Sequence, residues 1–461
     1  MHMQRNDITK AAKGRIEQNA ADVRRRNAEL QGSLTDTVSL DAYVSLVTEG
    51  IHGRVWTKAL QMALDEHQVV IIPPSDEVYW IDSTVVIPSE RRIEATGATV
   101  RLVPEYPFIM LRNEHCADGT FQPVDRGNRD RNISIHGGCW EECATKHGER
   151  RYGESSLGFG GVQTCMLFNN VEGISVTELT FSHVMSFCMQ IGDVSDGVFE
   201  DITFISCYGD GLHINGRSEN LSVRRLKGQV GDDMVALNMY DWLGSSVNYG
   251  YGRSIFIEDI HSYDDSGCKA MRLLSGRHPY ADGSDVMCSI EDVYIRNVKG
   301  IFEYKLYLQT PPYVIGQTPE GLGMGIIDRV FFENIDVVCQ RAPYLNDSDD
   351  TGHFGMFFFN SAVGLVSLES IRFTLKDDEN GLLHPIAVGP MSLRRGDVEV
   401  FDPYASGSID TLVLNGVSVN GETVNDPDTI IKTVCFNDVN RDGNSSGRGS
   451  IKSIIINGET V

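Results

Sequence analysis

One pattern, apolar–x–apolar–x–x–apolar–x–apolar, returns along most of this 461-residue chain. It appears as Ile174/Val176/Leu179/Phe181, then as Phe199/Ile202/Phe204, then as Leu221/Val223/Leu226. Later copies are Ile255/Ile257/Ile260, Ile290/Val293/Ile295, Ile327/Val330/Phe332, Val366/Leu368/Ile371/Phe373, Leu412/Leu414/Val417/Val419 and a terminal Ile454/Ile456. The central position moves from Val176 to Phe199 to Val223, steps of 23 and 24, and afterwards by longer steps. A minimum period near 23 residues with variable insertions predicts an all-β solenoid, the right-handed parallel β-helix, with one coil per repeat. No coil can bury its inward face alone, so neighbours stack at about 4.8 Å and build one apolar column. A leucine-rich solenoid would need a regular Leu-x-x-Leu-x-Leu and Asn ladder, which is absent, and a β-sandwich would not give a stacked period.

Ahead of the repeat, Ile8 to Leu30 reads as a helix, with Ile8, Ala12, Ile16, Ala20 and Val23 near one face. The run Arg24-Arg25-Arg26 reads as a solvated helix face. A second helix is expected over Val55 to Glu66, where Trp56, Leu60 and Leu64 recur at i+4. It gives way to a short buried strand at Val69–Pro74. The expected organisation is a helical extension over residues 1–50 and a single β-helix domain over 51–461. The helices are natural candidates to cover one open end of the column.

Composition narrows the partners. The formal charge is −24, which argues against nucleic acid and anionic membrane, since both demand a basic surface. It also makes a long anionic polymer an awkward substrate. No run of 18 apolar residues exists, so no membrane-spanning helix is expected. The ten cysteines are scattered without a dense framework and read as small buried hydrophobes in a reducing compartment. With a polar start, Met1–Asp7, this points to a cytoplasmic protein; secretion is the alternative if a leader has been removed.

The chemistry-bearing segment is Cys207-Tyr208-Gly209-Asp210-Gly211-Leu212-His213-Ile214-Asn215-Gly216, followed by Gly231-Asp232-Asp233-Met234-Val235-Ala236-Leu237-Asn238. Asp210 precedes Asp232 and Asp233 by 22 and 23 residues, one coil. All three carboxylates should therefore share one azimuth on adjacent rungs, about 5 to 9 Å apart. Such a group suits glycoside hydrolysis, in which one carboxyl protonates the leaving oxygen and another activates water. Mutual repulsion would separate their pKa values. The competing reading is turn chemistry, because Gly and Asp are common at coil corners. Successive strand residues face opposite ways, so Asp232 and Asp233 can share a cleft only across a bend.

This segment resembles the polygalacturonase-type glycoside hydrolases (family 28), whose pattern is Asn-Thr-Asp-Gly, Asp-Asp about a coil later, Gly-His-Gly, then Arg-Ile-Lys. Asp210-Gly211 matches the first motif, and Gly231 to Leu237 looks like the second with its apolar tail. Ile133 to Trp140 is similar to the family's glycine-rich segment ending in tryptophan, and Val69 to Pro74 and Arg92 to Leu102 resemble its first coil. The likeness spans roughly residues 55–310. It implies Asp232 as general acid, with Asp210 and Asp233 holding the nucleophilic water in an inverting reaction. Three departures stand out. Tyr208-Gly209 replaces the first Asn, Ser266-Gly267-Cys268-Lys269 lacks the histidine, and Glu303-Tyr304-Lys305 keeps the lysine without the arginine.

Local substitutes are available as substrate-binding residues. Lys269 and Arg272 fall one coil after the aspartate pair, where Arg suits a carboxylate or vicinal hydroxyls; an ion pair with the acidic residues is the other reading. Lys305 follows, and His213 could reach the same cleft or tune its carboxylates. No metal or cofactor is expected: Cys139-x3-Cys143-x3-His147 lacks a second ligand pair, and Asn346 to Asp350 lacks a calcium-loop spacing. Insertions at 139–160, 240–253 and 307–324, including Tyr240, Trp242, Tyr249 and Tyr251, are expected to wall the cleft and stack on sugar rings. The expected function is an inverting, exo-acting or oligosaccharide-cleaving hydrolase of a plant- or microbe-derived glycan, which could contain uronides. The expected partner is the oligosaccharide, in a chain that could be a homo-oligomer. The alternatives are a catalytically altered carbohydrate-binding or tailspike-like β-helix, and a lyase or epimerase on the same fold.

Overall fold

The computed structural model describes residues 2–106, 109–145, 164–241, 244–263, 270–301, 304–308, 325–339, 354–359, 361–376, 383–389, 392–395, 398–401, 407–433 and 449–461. Its strands wind as a parallel β-helix, and the crossover rule for parallel strands makes the coil right-handed. The repeat read from the sequence is a physical stack. Val38, Val70, Ile93, Ile135, Val176, Phe199, Val223, Ile257, Ile295, Phe332, Leu368, Leu414 and Ile456 pair in register, one per coil. From Val70 to Leu414 these side chains are buried and belong to one continuous core cluster. A second ladder, Met166, Met189, Leu212, Val235 and Met271, runs parallel to it. A short third ladder is built from Val100, Trp140, Phe181 and Phe204.

Corners explain the tight period. Glu178, Asp201, Arg225, Asp259, Asn297, Asn334 and Ser370 occupy one corner, each at φ between 53° and 62°. A left-handed residue costs about 1 kcal/mol outside glycine, and stacked polar side chains offset part of it. The Arg225 guanidinium donates to Asp201, Asn297 to Asp259, and Asn334 to Asn297.

The two helices differ in role from the expected common cap. Helix α2, Thr57–Glu66, closes the end of the column: Ala59, Leu60, Ala63 and Leu64 are buried in the core cluster with Leu40 and Val70. Helix α1, His2–Ser33, instead lies along the flank. At 1.5 Å per residue its 32 residues extend about 48 Å, and its contacts run from Asn132 to Glu369, across eight coils. Ala12, Ile16 and Ala20 pack on an outward aromatic ridge of Phe256, Tyr294 and Phe331. Polar contacts do the rest: Gln31 reaches Asn132, Arg26 reaches Asp196, Asn19 reaches Asn220 and Ser254, and Lys13 reaches Glu333. Arg24 donates to Ser222 and only Arg25 stays with helix neighbours, so two of the three arginines dock the helix rather than face solvent. The strand Thr37–Ser39 already pairs with Val69–Ile71. The first rung therefore lies inside the span read as a helical extension. Cys165, Cys188, Cys207, Cys288 and Cys339 are buried in the core as expected, whereas Cys116, Cys139 and Cys143 are half-buried, and among the described residues no helix is long and apolar enough to cross a membrane.

Candidate active site

Two glycine-flanked bends on successive coils build the site. Gly209, Gly211 and Gly231 all keep negative φ, which removes the simplest turn explanation for them. Their reason is space: a Cβ on Gly209 would strike the Ser186 backbone, and one on Gly231 the Tyr208 backbone. Asp210 stands just before the strand Leu212–Asn215, and Asp233 opens the strand Asp233–Asn238. The coils are tied together at this point, since the Gly211 amide donates to the Asp233 carbonyl at 2.9 Å and the Asp233 amide donates to Asp210 Oδ1 at 2.9 Å.

The bend that Asp232 and Asp233 need is present. The register toward the next strand, Ala270–Pro279, shifts between Asp233 and Val235, which places a bulge at Met234. Nearest carboxylate oxygens of Asp210, Asp232 and Asp233 all lie within 4.8 Å of one another, tighter than rung spacing alone implies. Asp210 and Asp233 are buried, at 2% and 1% exposure. Asp232 keeps 35% of its side chain exposed and faces solvent.

Among the described residues, two cations serve this acidic group. Arg272, only 8% exposed, puts Nη2 3.0 Å from Asp232 and Nε 3.0 Å from Asp233. His213 lies beneath Asp210, with Nδ1 2.6 Å from Asp210 Oδ2 and Nε2 3.1 Å from Asp241 Oδ2. Burial pulls the imidazolium down, but the hydrogen bonds to Asp210 and Asp241 outweigh it and hold the ring at about 9. His213, Ala236, Arg272 and Lys305 occupy one register position on four consecutive coils. Four carboxylates, counting Asp241, thus meet one guanidinium and one imidazolium.

The sequence-derived substrate contacts need correction. His213 is 1% exposed under the Phe187 ring, stacked at 4.1 Å and 14°, so it supports Asp210 and does not present itself to a sugar. Arg272 takes the ion-pair alternative. Lys269 lies outside the described residues, and Lys305 is placed by backbone register alone. The aromatic wall is corrected at Tyr249, which is buried and stacks on His278 at 3.6 Å, while Val247 packs with Ile109 and Leu167; Tyr240 and Tyr251 are half-buried. The segment 244–251 therefore seals the outward face of the ladder next to Gln190 and Asn215. Residues 146–163, 242–243 and 309–324, and with them Trp242, His147 and the acidic 346–350 stretch, lie outside the described residues. Sequence reasoning missed Asp241 and Phe187. Asp241 sits 28 residues past His213, outside the coil period that linked the other acids.

The three aspartates are close enough to share a cation, and the Arg272 guanidinium already bridges two of them. A second group, Glu114, His115 and Asp130, also lies close together. There, Asp130 is fully buried and accepts from Ser89, Asn113 and the His115 amide, which marks a loop anchor.

No family model matches the chain, and no curated protein matches it. Among solved structures, a hyperthermoactive exopolygalacturonase from Thermotoga maritima aligns at TM-score 0.49 and 10% identity, covering 95% of this chain and 97% of that one. A family 28 exopolygalacturonase from Yersinia enterocolitica aligns at TM-score 0.45 and 13% identity, covering 91% and 78%. ORF18 of Geobacillus virus E2 aligns at TM-score 0.45 and 13% identity over 87% of this chain, which spans 64% of that protein's length. The fold assignment rests on this chain's own strand register.

Proposed function

We propose that this chain is a glycoside hydrolase that cleaves a short glycan, exo-acting or oligosaccharide-specific, with inversion. In this reading it is a divergent relative of the polygalacturonase-type enzymes. The observation that carries the reading is the convergence of Asp210, Asp232 and Asp233 from two adjacent coils, with one of the three open to solvent. Asp232, the exposed one, is the proton donor to the leaving oxygen. Asp233 and Asp210, buried behind it, hold and activate the water.

As donor, Asp232 has to carry a proton, which its Arg272 pairing opposes. Substrate binding therefore transfers the guanidinium from Asp232 to a sugar carboxylate or vicinal hydroxyls, where its fork of donors is well matched. Lys305, in register one coil on, is the second candidate for that contact.

The test is a screen of uronide and neutral oligosaccharides for new reducing ends. The wild type releases sugar, and Asp233→Asn lowers turnover by on the order of 10³-fold while thermal stability stays nearly unchanged. Undiminished turnover in Asp233→Asn contradicts the proposal. A second reading, a carbohydrate-binding β-helix with altered catalysis, is favoured by Arg272 engaging both Asp232 and Asp233. It predicts sugar binding without product across the same panel. A lyase would instead give an unsaturated product absorbing in the ultraviolet.

A further inference from the structure

Behind Asp210 lies a further buried carboxylate, Asp241, which meets the opposite nitrogen of His213. Asp241 is 3% exposed and follows the strand Asp233–Asn238. Its Oδ2 faces His213 Nε2 and also accepts from Asn238 Nδ2 at 2.9 Å, and its backbone carbonyl accepts from the Tyr249 hydroxyl at 3.1 Å. Asp241 is therefore fixed from two sides before it meets the imidazole. The His213 ring is fixed in turn by Phe187 above it and by a carboxylate on each nitrogen.

A neutral imidazole can donate from only one nitrogen, so a ring placed between two carboxylates is built to carry both protons. Among the described residues, the charged groups facing His213 are Asp210, from the bend before its own strand, and Asp241, from the end of the next. Its ladder neighbours Gln190 and Ala236 are uncharged, Asn215 Nδ2 lies 3.3 Å from Nε2, and Arg272 stands two coils away. Both oxygens of Asp210 are committed, Oδ2 to His213 and Oδ1 to the Asp233 amide.

We propose that Asp241 and His213 are positioning residues, in which Asp241 orients the imidazole and the imidazole fixes the Asp210 carboxylate against the Asp233 bend. This rests on the hydrolase reading, since Asp210 matters as a positioned group only if it serves the reacting water. It also accounts for a site without the histidine of the Gly-His-Gly motif: the charged ring is supplied from beneath the aspartates.

The experiment uses the full chain with trigalacturonate as the anionic probe and maltotriose and cellotriose as neutral probes. On whichever probe the wild type cleaves, Asp241→Asn is expected to lower kcat by on the order of tenfold or more, with KM within about twofold. The alkaline limb of its kcat–pH profile moves to lower pH. In parallel, nitrogen-15 NMR of labelled histidine shows both His213 ring nitrogens protonated in the wild type at about pH 8, and a ring that loses a proton at lower pH in Asp241→Asn. An active wild type, an inactive Asp233→Asn and an Asp241→Asn with unchanged kcat and pH profile would overturn the positioning role and leave the hydrolase reading standing. No release from any probe by the wild type removes both. Should Asp241→Asn fail to fold, the wild-type spectrum still decides, because a singly protonated His213 ring at about pH 7 overturns the proposal.

Discussion

At His213, burial and charge pull in opposite directions. Burial alone would strip the ring of its proton, yet Asp210 and Asp241 hold it at about 9 against an ordinary value of 6.5. The folded state thus binds this proton more tightly than the unfolded chain. Its contribution to stability is complete below about pH 6.5 and is lost as pH rises through about 9. The difference corresponds to about 3 kcal/mol at most. Denaturant midpoints measured across that window should fall for the wild type. In His213→Gln, starting from a lower value because two buried carboxylates then face each other, the fall should be largely absent. An equal fall in both proteins would remove His213 as its source. The neighbouring glycines teach a different lesson at this scale. Gly209 and Gly231 were open to a turn explanation in the sequence, but the coil needs them because a Cβ would collide with backbone one rung away.

Among the elements, α1 is the one whose attachment is mainly polar. Its apolar contact is narrow, with Ala12, Ile16 and Ala20 on Phe256, Tyr294 and Phe331. Ile16→Asp removes a contact worth about 2–3 kcal/mol and buries a charge against aromatic rings. Hydrogen exchange should then rise throughout α1 while the ladder residues Val176, Phe199 and Val223 stay protected. Uniform loss of protection would mean that α1 is integral to the β-helix rather than strapped to its flank. What was legible in the sequence follows this division. The inward ladder through Val176, Phe199 and Val223 was visible because burial enforces apolar residues at a fixed phase. The coil period likewise brought Asp210 together with Asp232 and Asp233. The flank position of α1 was not visible, because helical periodicity reports an apolar face and not its partner. The second ladder, Met166 to Met271, escaped notice because its neighbouring outward positions, Leu167, Gln190, His213, Ala236 and Arg272, mix apolar with buried polar residues, which hides the alternation. His213 and Arg272 were found as residues near the site, but their orientation depends on Phe187, Asp241 and the bulge at Met234, which no spacing rule encodes.

Over the whole molecule the acidic residues outnumber the basic ones by 24, and they divide into two kinds. Some are paired in ladders along the flank, as at Glu200, Glu258 and Asp292 with Arg225, Arg224 and Arg329. Others are concentrated at Asp210, Asp232, Asp233 and Asp241, where Arg272 and His213 lie against them. On the proposed hydrolase reading, a site of that balance is expected to take a short glycan offering few acidic groups in preference to a polyanionic chain. The solenoid supplies a rigid stack that holds oxygens of three carboxylates within 4.8 Å of one another despite their repulsion. The most direct test of the hydrolase reading is proton NMR of the anomeric signals during cleavage of a short glycan, run with the wild type and with Asp233→Asn. The wild type is expected first to release sugar of inverted anomeric configuration, and Asp233→Asn to release almost none. Retained configuration, an unsaturated product, or equal release by both proteins would contradict it.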